Sequence, residues 1–339
     1  MKVYSRFGKN IFVLTGMVTV LFFLFGACQS PMEVPLSLFE EAQPYFEFVM
    51  INEDFFVSEE EILNDPEQNG FSKGMNPGDA QFKPLFFRRV ITSIDRTFSY
   101  EFENNDIVNV TMVRTIEAEL RMRGTVRGSD GVSMVIKEFS EIAERRAKFT
   151  RVSNTGIIED DWKLTAISLM NGGTQEREFA IAHIKMEIRG GPTFDFTDPL
   201  DTYLRIGNTD RGVPAANLAE FRQGGFRLEI TVESKNPDPE TLFLRHGGVF
   251  AGGRTDASGY MRRARIPFES EQESANDLYV RTYVIDWTPF AEFVGVAARG
   301  SDIKTGRLSA IVEAVSHDTF YDTAAPVQTN YWGVPFIIQ

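Results

Sequence analysis

The chain of 339 residues carries 48 acidic against 35 basic side chains, a formal charge of −13, and one cysteine. An acidic surface repels phosphate backbones, which argues against nucleic acid as a partner, and a lone cysteine leaves no intramolecular disulfide. Stability must come from packing, and the length is enough for two domains with proper cores.

The first nine residues hold Lys2, Arg6 and Lys9 and no acid, and residues 11–25 are uncharged and rich in Val, Leu, Ile and Phe. A basic segment followed by an apolar one is the pattern of an export signal. The apolar run is shorter than the roughly 20 residues of a membrane-spanning helix. It closes on Phe25-Gly26-Ala27-Cys28, two small residues directly before the only cysteine. This resembles the lipobox of bacterial lipoproteins, although Phe25 stands where Leu is commonest. The resemblance implies that residues 1–27 are removed, that Cys28 is acylated on both its thiol and its new amino group, and that the acyl chains hold the protein on the membrane. The competing reading is an ordinary secretory signal cut near Ala27. Gln29 is not the Asp that retains enteric lipoproteins at the inner membrane, so the expected address is the cell envelope, with the outer membrane favoured over the inner.

Residues 28–37, with Pro31 and Pro35, read as a lipidated tether. From Leu36, the apolar residues Leu36, Phe39, Ala42, Phe46 and Val49 recur at helical spacing with Pro44 among them, which predicts an interrupted helix. Ser58-Glu59-Glu60-Glu61 predicts a capping box opening a second, short helix. Residues 67–79, with Gly70, Gly74, Pro77 and Gly78, read as loop.

Strict alternation follows. Ile94, Phe98, Tyr100 and Phe102 share one face; after the turn residues Asn104-Asn105-Asp106, a second series runs Val108, Val110, Met112, Ile116, Ala118, Leu120 and Met122. The two runs predict a hairpin with one buried and one wet face. A turn at 128–131 leads to a strand at 132–139, with further strands at 147–152 and 162–169. Helices, then long antiparallel strands, then a closing Asp161-Trp162-Lys163-Leu164 strand resemble the nuclear-transport-factor-like α+β cone, against the alternative of a β-sandwich capped by helices. The glycines of Asn171-Gly172-Gly173 and of Arg189-Gly190-Gly191-Pro192 bracket an expected boundary. Beyond it, short strands at 180–188, 202–206, 226–233, 241–245, 263–268, 278–287, 308–315 and 331–338 resemble an immunoglobulin-like sandwich. The expected fold is therefore mainly β: an α+β cone-like domain over 38–170 and an immunoglobulin-like β-sandwich over 178–339.

Motifs that carry chemistry are scarce. His183, His246 and His317 are isolated in sequence, and no zinc spacing, nucleophile elbow or calcium loop occurs. Gly247-Gly248-Val249-Phe250-Ala251-Gly252-Gly253 lacks the Lys-Ser/Thr of a phosphate loop. Asp195, Asp198 and Asp201 could meet a cation but fit a solvated loop better. The pairs Arg88-Arg89, Arg145-Arg146 and Arg262-Arg263 read as solvated faces or local ion pairs. In Tyr45-Phe46-Glu47-Phe48, Phe55-Phe56 and Phe86-Phe87, aromatics on adjacent positions place at least one of each pair away from its local core, either under the N-terminal helices or in an exposed partner surface. No catalytic, cofactor-binding or metal residue is assigned, and Cys28 is the one predicted site, for lipidation. The expectation is a non-catalytic binding or scaffolding module, anchored in the membrane by lipid, with an envelope protein or glycan as partner. The alternative is an envelope hydrolase or small-ligand pocket protein using carboxylates of the N-terminal domain.

Overall fold

A computed structural model describes residues 36–64, 69–70, 80–206, 216–217, 219–221, 225–246, 262–273, 278–287 and 306–338. Cys28 and the Gly247 to Gly253 run lie outside them. The chain forms two compact units, Met1–Gln43 and Pro44–Gln339, and every strand of the described residues belongs to the second.

Helix α1 (Leu36–Asn52) contains Pro44, and α2 (Asp54–Leu63) follows directly. The expected capping box does not form. Glu53 occupies the N-cap of α2, and Ser58 lies inside the helix, where its hydroxyl donates to Phe55 O and accepts from Ser309 N. Tertiary contact outcompetes the local cap at this position.

Three long strands come next: β2 (Phe82–Asn104), β3 (Ile107–Val126) and β4 (Val132–Arg151). Their register joins β2 to β3 through the predicted Asn-rich turn, and β4 runs unbroken through what the sequence divides into two strands. On β3 every even residue from Val108 to Gly124 is buried, so the hairpin has the expected dry and wet faces. The short strand β1 (Asn69–Gly70) pairs with Phe86 and Phe87. After the single-turn α3 (Ile158–Asp161) come β5 (Trp162–Ser168) and β6 (Met170–Gly173).

The remaining strands are β7 (Phe179–Ile188), β8 (Thr193–Phe196), β9 (Tyr203–Arg205), β10 (Ala216–Asn217), β11 (Ala219–Phe221), β12 (Phe226–Ser234), β13 (Thr241–His246), β14 (Arg262–Ile266), β15 (Phe268–Glu273), β16 (Tyr279–Trp287), β17 (Gly306–Val315) and β18 (Thr329–Ile338), with α4 (His317–Tyr321) before the last. One sheet has the order β1-β2-β3-β4-β6-β18-β17-β13-β14, with β5, β9, β10 and β11 beside it; the other is β15-β16-β12-β7-β8. All pairings are antiparallel except β9 with β10 and β11 with β18. The fold is mainly β.

The large sheet rolls back on itself. Phe87 on β2 packs against Phe243 on β13 and Phe320 on α4, at ring separations of 5.5 and 5.0 Å, although several strands intervene in the sheet order. Inside the roll lie Ile62 and Leu63 of α2 with Ile116, Ala143, Met170, Ile311 and Tyr331. The other face of β17 and β18 looks onto the five-stranded sheet, where Ala310, Val312, Val334 and Phe336 meet Met186, Phe226 and Leu228. Strands β13, β17 and β18 are thus a wall shared by two cores, and all six residues of β13 are buried. Burial on both faces explains their near-continuous apolar sequences.

Strand pairing crosses the expected division at 170–178. Asn171-Gly172-Gly173 is a strand bonded to β4 on one side and β18 on the other. The glycines are there for close approach: a Cβ on Gly172 would overlap the Tyr331 ring, and Gly173 has φ +142° with Thr329 O where its Cβ would stand.

Candidate functional site

The densest chemistry is enclosed by the roll. Arg89, Arg114, Arg145 and Arg245 are all buried there, with Glu59, Glu141 and Glu313. Arg114 pairs with Glu59 at 3.0 Å, Arg145 pairs with the same carboxylate, and Ser309 Oγ donates to it at 3.0 Å. Glu141 takes Arg89 and the Thr329 hydroxyl. Glu313 takes Arg89 at 3.1 Å and Arg245 at 2.5 Å. The half-buried Glu60 completes the set, 3.7 Å from Arg114 and forked onto Arg96 at 3.0 and 2.5 Å. Burial pulls the Arg145 guanidinium down to about 10, opposed by Glu59. Arg89 is lowered by burial too, opposed by Glu313. Tyr331, over whose ring Arg89 lies, is raised by burial. Each carboxylate is held by one or two guanidinium groups, an arrangement that fixes charge rather than moving protons.

Sequence reasoning missed this cluster, although the sequence marks it. Arg114 sits in the buried phase between Met112 and Ile116, Arg145 between Ala143 and Ala147, and Arg89 two residues after Phe87. A charged residue in phase with an apolar alternation is the signal. The reading of Arg88-Arg89 and Arg145-Arg146 as solvated faces or local ion pairs is therefore corrected for Arg89 and Arg145, which are buried and paired with carboxylates distant in sequence; Arg146 does form ion pairs at the surface, with Asp201 at 2.7 Å and Glu144 at 3.4 Å. Arg263 lies over the Phe87 ring at 4.0 Å.

Other polar groups hold loops. Arg281, buried between the sheets, bonds Glu240 at 3.0 Å and Glu271 at 2.5 Å and donates to the carbonyls of Asn236, Pro237 and Asp238. Lys137 Nζ donates to the carbonyls of Thr319, Asp322 and Ala325 at 2.9, 2.6 and 2.7 Å, closing the end of α4. Asp161 is held down to about 2, first by the Thr155 backbone N–H and also by Ser153 and Gly156.

The histidines and the acidic loop go to separate partners. His183 pairs with Asp195 across β7 and β8, His246 packs on Trp287 with ring centres 4.2 Å apart, and Asp198 caps the backbone of Leu200 and Asp201. His317 lies 3.3 Å from Asp318 and 4.0 Å from Asp238 on the surface. A cavity of about 10 Å³ between the sheets is lined wholly by apolar side chains, among them Met186, Leu244 and Phe336; apolar voids of this size stay dry.

The adjacent aromatics at 45–48 and 86–87 divide as expected, but Phe55 and Phe56 are both buried. Phe46, Phe55, Phe56 and Phe87 are buried, whereas Phe48 is 62% exposed and Phe86 42%. Phe46 packs edge-on to Trp162 at 5.4 Å and against Phe149 at 4.6 Å. Phe86 belongs to an exposed face on β2, β3 and β4 that also carries Val132, Met134 and Ile136. Among the described residues no helix is long and apolar enough to cross a membrane. No family model, curated protein or solved structure matches the chain.

Proposed function

We propose that the protein is an exported, lipid-anchored module of the bacterial cell envelope, acylated at Cys28, that works by binding rather than catalysis. The observation that carries the binding reading is the exposed apolar face of β2–β4, where Phe86, Val132, Met134 and Ile136 stand in solvent beside cationic side chains. Contiguous exposed apolar surface marks a contact site. The export pattern of residues 1–28 supports the anchor, and Gln29 favours the outer membrane over the inner. A protein or glycan partner has a second surface available: Phe48 and Ile51, one turn apart on α1, and Val57 on α2 are exposed.

In this reading the part over 38–170 supplies the long strands β2 to β4 of the roll, and the part over 178–339 supplies the second sheet together with the wall strands β13, β17 and β18 that close both cores. The rival, a hydrolase or small-ligand pocket using N-terminal carboxylates, finds its buried glutamates, Glu59 and Glu141, already clamped by arginine. Photo-crosslinking from position 48 in intact envelopes, run beside a panel of glycan and ester substrates, tests the function. Stoichiometric adducts without turnover are expected. Turnover abolished by substituting a single acid would overturn the binding reading.

A further inference from the structure

Register places the exposed face rung by rung. Lys83, Thr125 and Val132 lie side by side across β2, β3 and β4; then Phe86, Arg123 and Met134; then Arg88, Arg121 and Ile136. Met134 is 60% exposed, and Val132 and Ile136 are more than half exposed. A bulge between Pro84 and Phe86 adds Leu85, also exposed. The turn at the tip contributes Arg127. Acids are the minority here, Glu119 and Glu138 on the next rung and Asp130 in the turn, and Glu119 is taken up by Arg121 at 2.6 Å. In a chain of formal charge −13 this is a cationic tip.

We infer that this tip docks on the anionic leaflet of the membrane that holds the chain; the inference rests on the lipid-anchored reading of the protein. Charge complementarity selects the occupant: an acidic protein body is repelled by an anionic bilayer everywhere except at such a tip. The side chains fit the interface. Val132, Met134, Ile136 and Leu85 are aliphatic or thioether groups that enter the acyl boundary, while the long Lys and Arg stems beside them reach back to headgroup phosphates. Of the residues that centre protein hot spots, Trp, Tyr and Arg, only Arg stands on these rungs, and its guanidinium serves headgroup phosphate equally. An acyl anchor on the same molecule raises the local concentration of bilayer, so a patch too weak to bind alone becomes occupied.

The test uses the processed, acylated protein reconstituted into vesicles of phosphatidylglycerol with phosphatidylethanolamine, or of phosphatidylcholine alone, with brominated acyl chains as quenchers. Met134→Trp should be quenched in the phosphatidylglycerol vesicles, Phe48→Trp much less, and the difference should shrink at high salt. Adding Lys83→Gln or Arg123→Gln should lower the docked-to-undocked ratio about fivefold per cation lost. Both positions are exposed and circular dichroism reports that the fold is kept. Equal or absent quenching at 134 while the protein still floats with the vesicles overturns the docking and leaves the anchor standing. Failure to float overturns the anchor, and quenching at 134 on mixing the same protein with vesicles then decides the docking by itself. Crosslinks from position 134 to a protein rather than to lipid also overturn it.

Discussion

Glu59 is one carboxylate facing two buried guanidinium groups, so its loss is asymmetric. Glu59→Gln leaves Arg145 charged, desolvated and without its anion and leaves Arg114 with only the more distant Glu60, and breaking a buried pair in this way costs about 3–5 kcal/mol. Urea unfolding should show that loss with an unchanged slope. Asp161 gives a pH signature. Its folded-state carboxyl lies below its unfolded value, so the stability it contributes is complete above about pH 4 and is lost as pH falls toward 2. Asp161→Asn should therefore lower the melting temperature at pH 7 and leave it close to wild type at pH 2. Both residues stand in acid-rich stretches that look solvated in sequence. What identifies Asp161 is the set of backbone N–H groups folded over it, and loop closure of that kind has no local sequence mark. Glu59 differs: it lies four residues after Phe55 and three before Ile62, on the buried stripe of α2, and a charge on a stripe can be read.

At the scale of elements, strand existence was legible in the longer runs with a regular apolar pattern, whereas the short exposed strand β8 and most of β15 carry no such pattern. The alternation of β3 and the strands at 226–233, 278–287 and 308–315 all lie where periodicity places them. Glycine misled, because the residue that permits a flexible linker also permits close approach of backbone to a ring, and only the partner distinguishes them. Gly172 faces Tyr331 in a buried strand, while Gly190 has φ +72° in an exposed turn between β7 and β8. Limited proteolysis should nick at 189–192 and spare 171–173, and Gly172→Ala should destabilise by about 2 kcal/mol through overpacking. Lys137 is the second device. It points inward from the stretch of β4 that has no neighbouring strand on its far side among the described residues, where an inward charge discourages edge pairing. The exposed tip was half legible: Phe86-Phe87 announced that one ring faces out, but its place beside Met134 depends on strand register, which no single segment specifies.

The whole molecule is organised by a wall that each half of the chain needs. Ile311, Glu313 and Tyr331 complete the interior of the roll, and their neighbours Val312, Val334 and Phe336 complete the stack against the second sheet. Fragment 38–170 should therefore stay unfolded when expressed alone, read by dispersion of its amide proton spectrum. The functional claim stands at the other end of the chain, at Cys28. Cells fed an alkyne fatty acid and carrying either the natural chain or Cys28→Ser provide the direct measurement. Lipid anchoring predicts a labelled, membrane-partitioned natural protein and an unlabelled variant that is either a larger precursor or released. An unlabelled natural protein, with the Cys28→Ser variant retained at the same mobility, would contradict it.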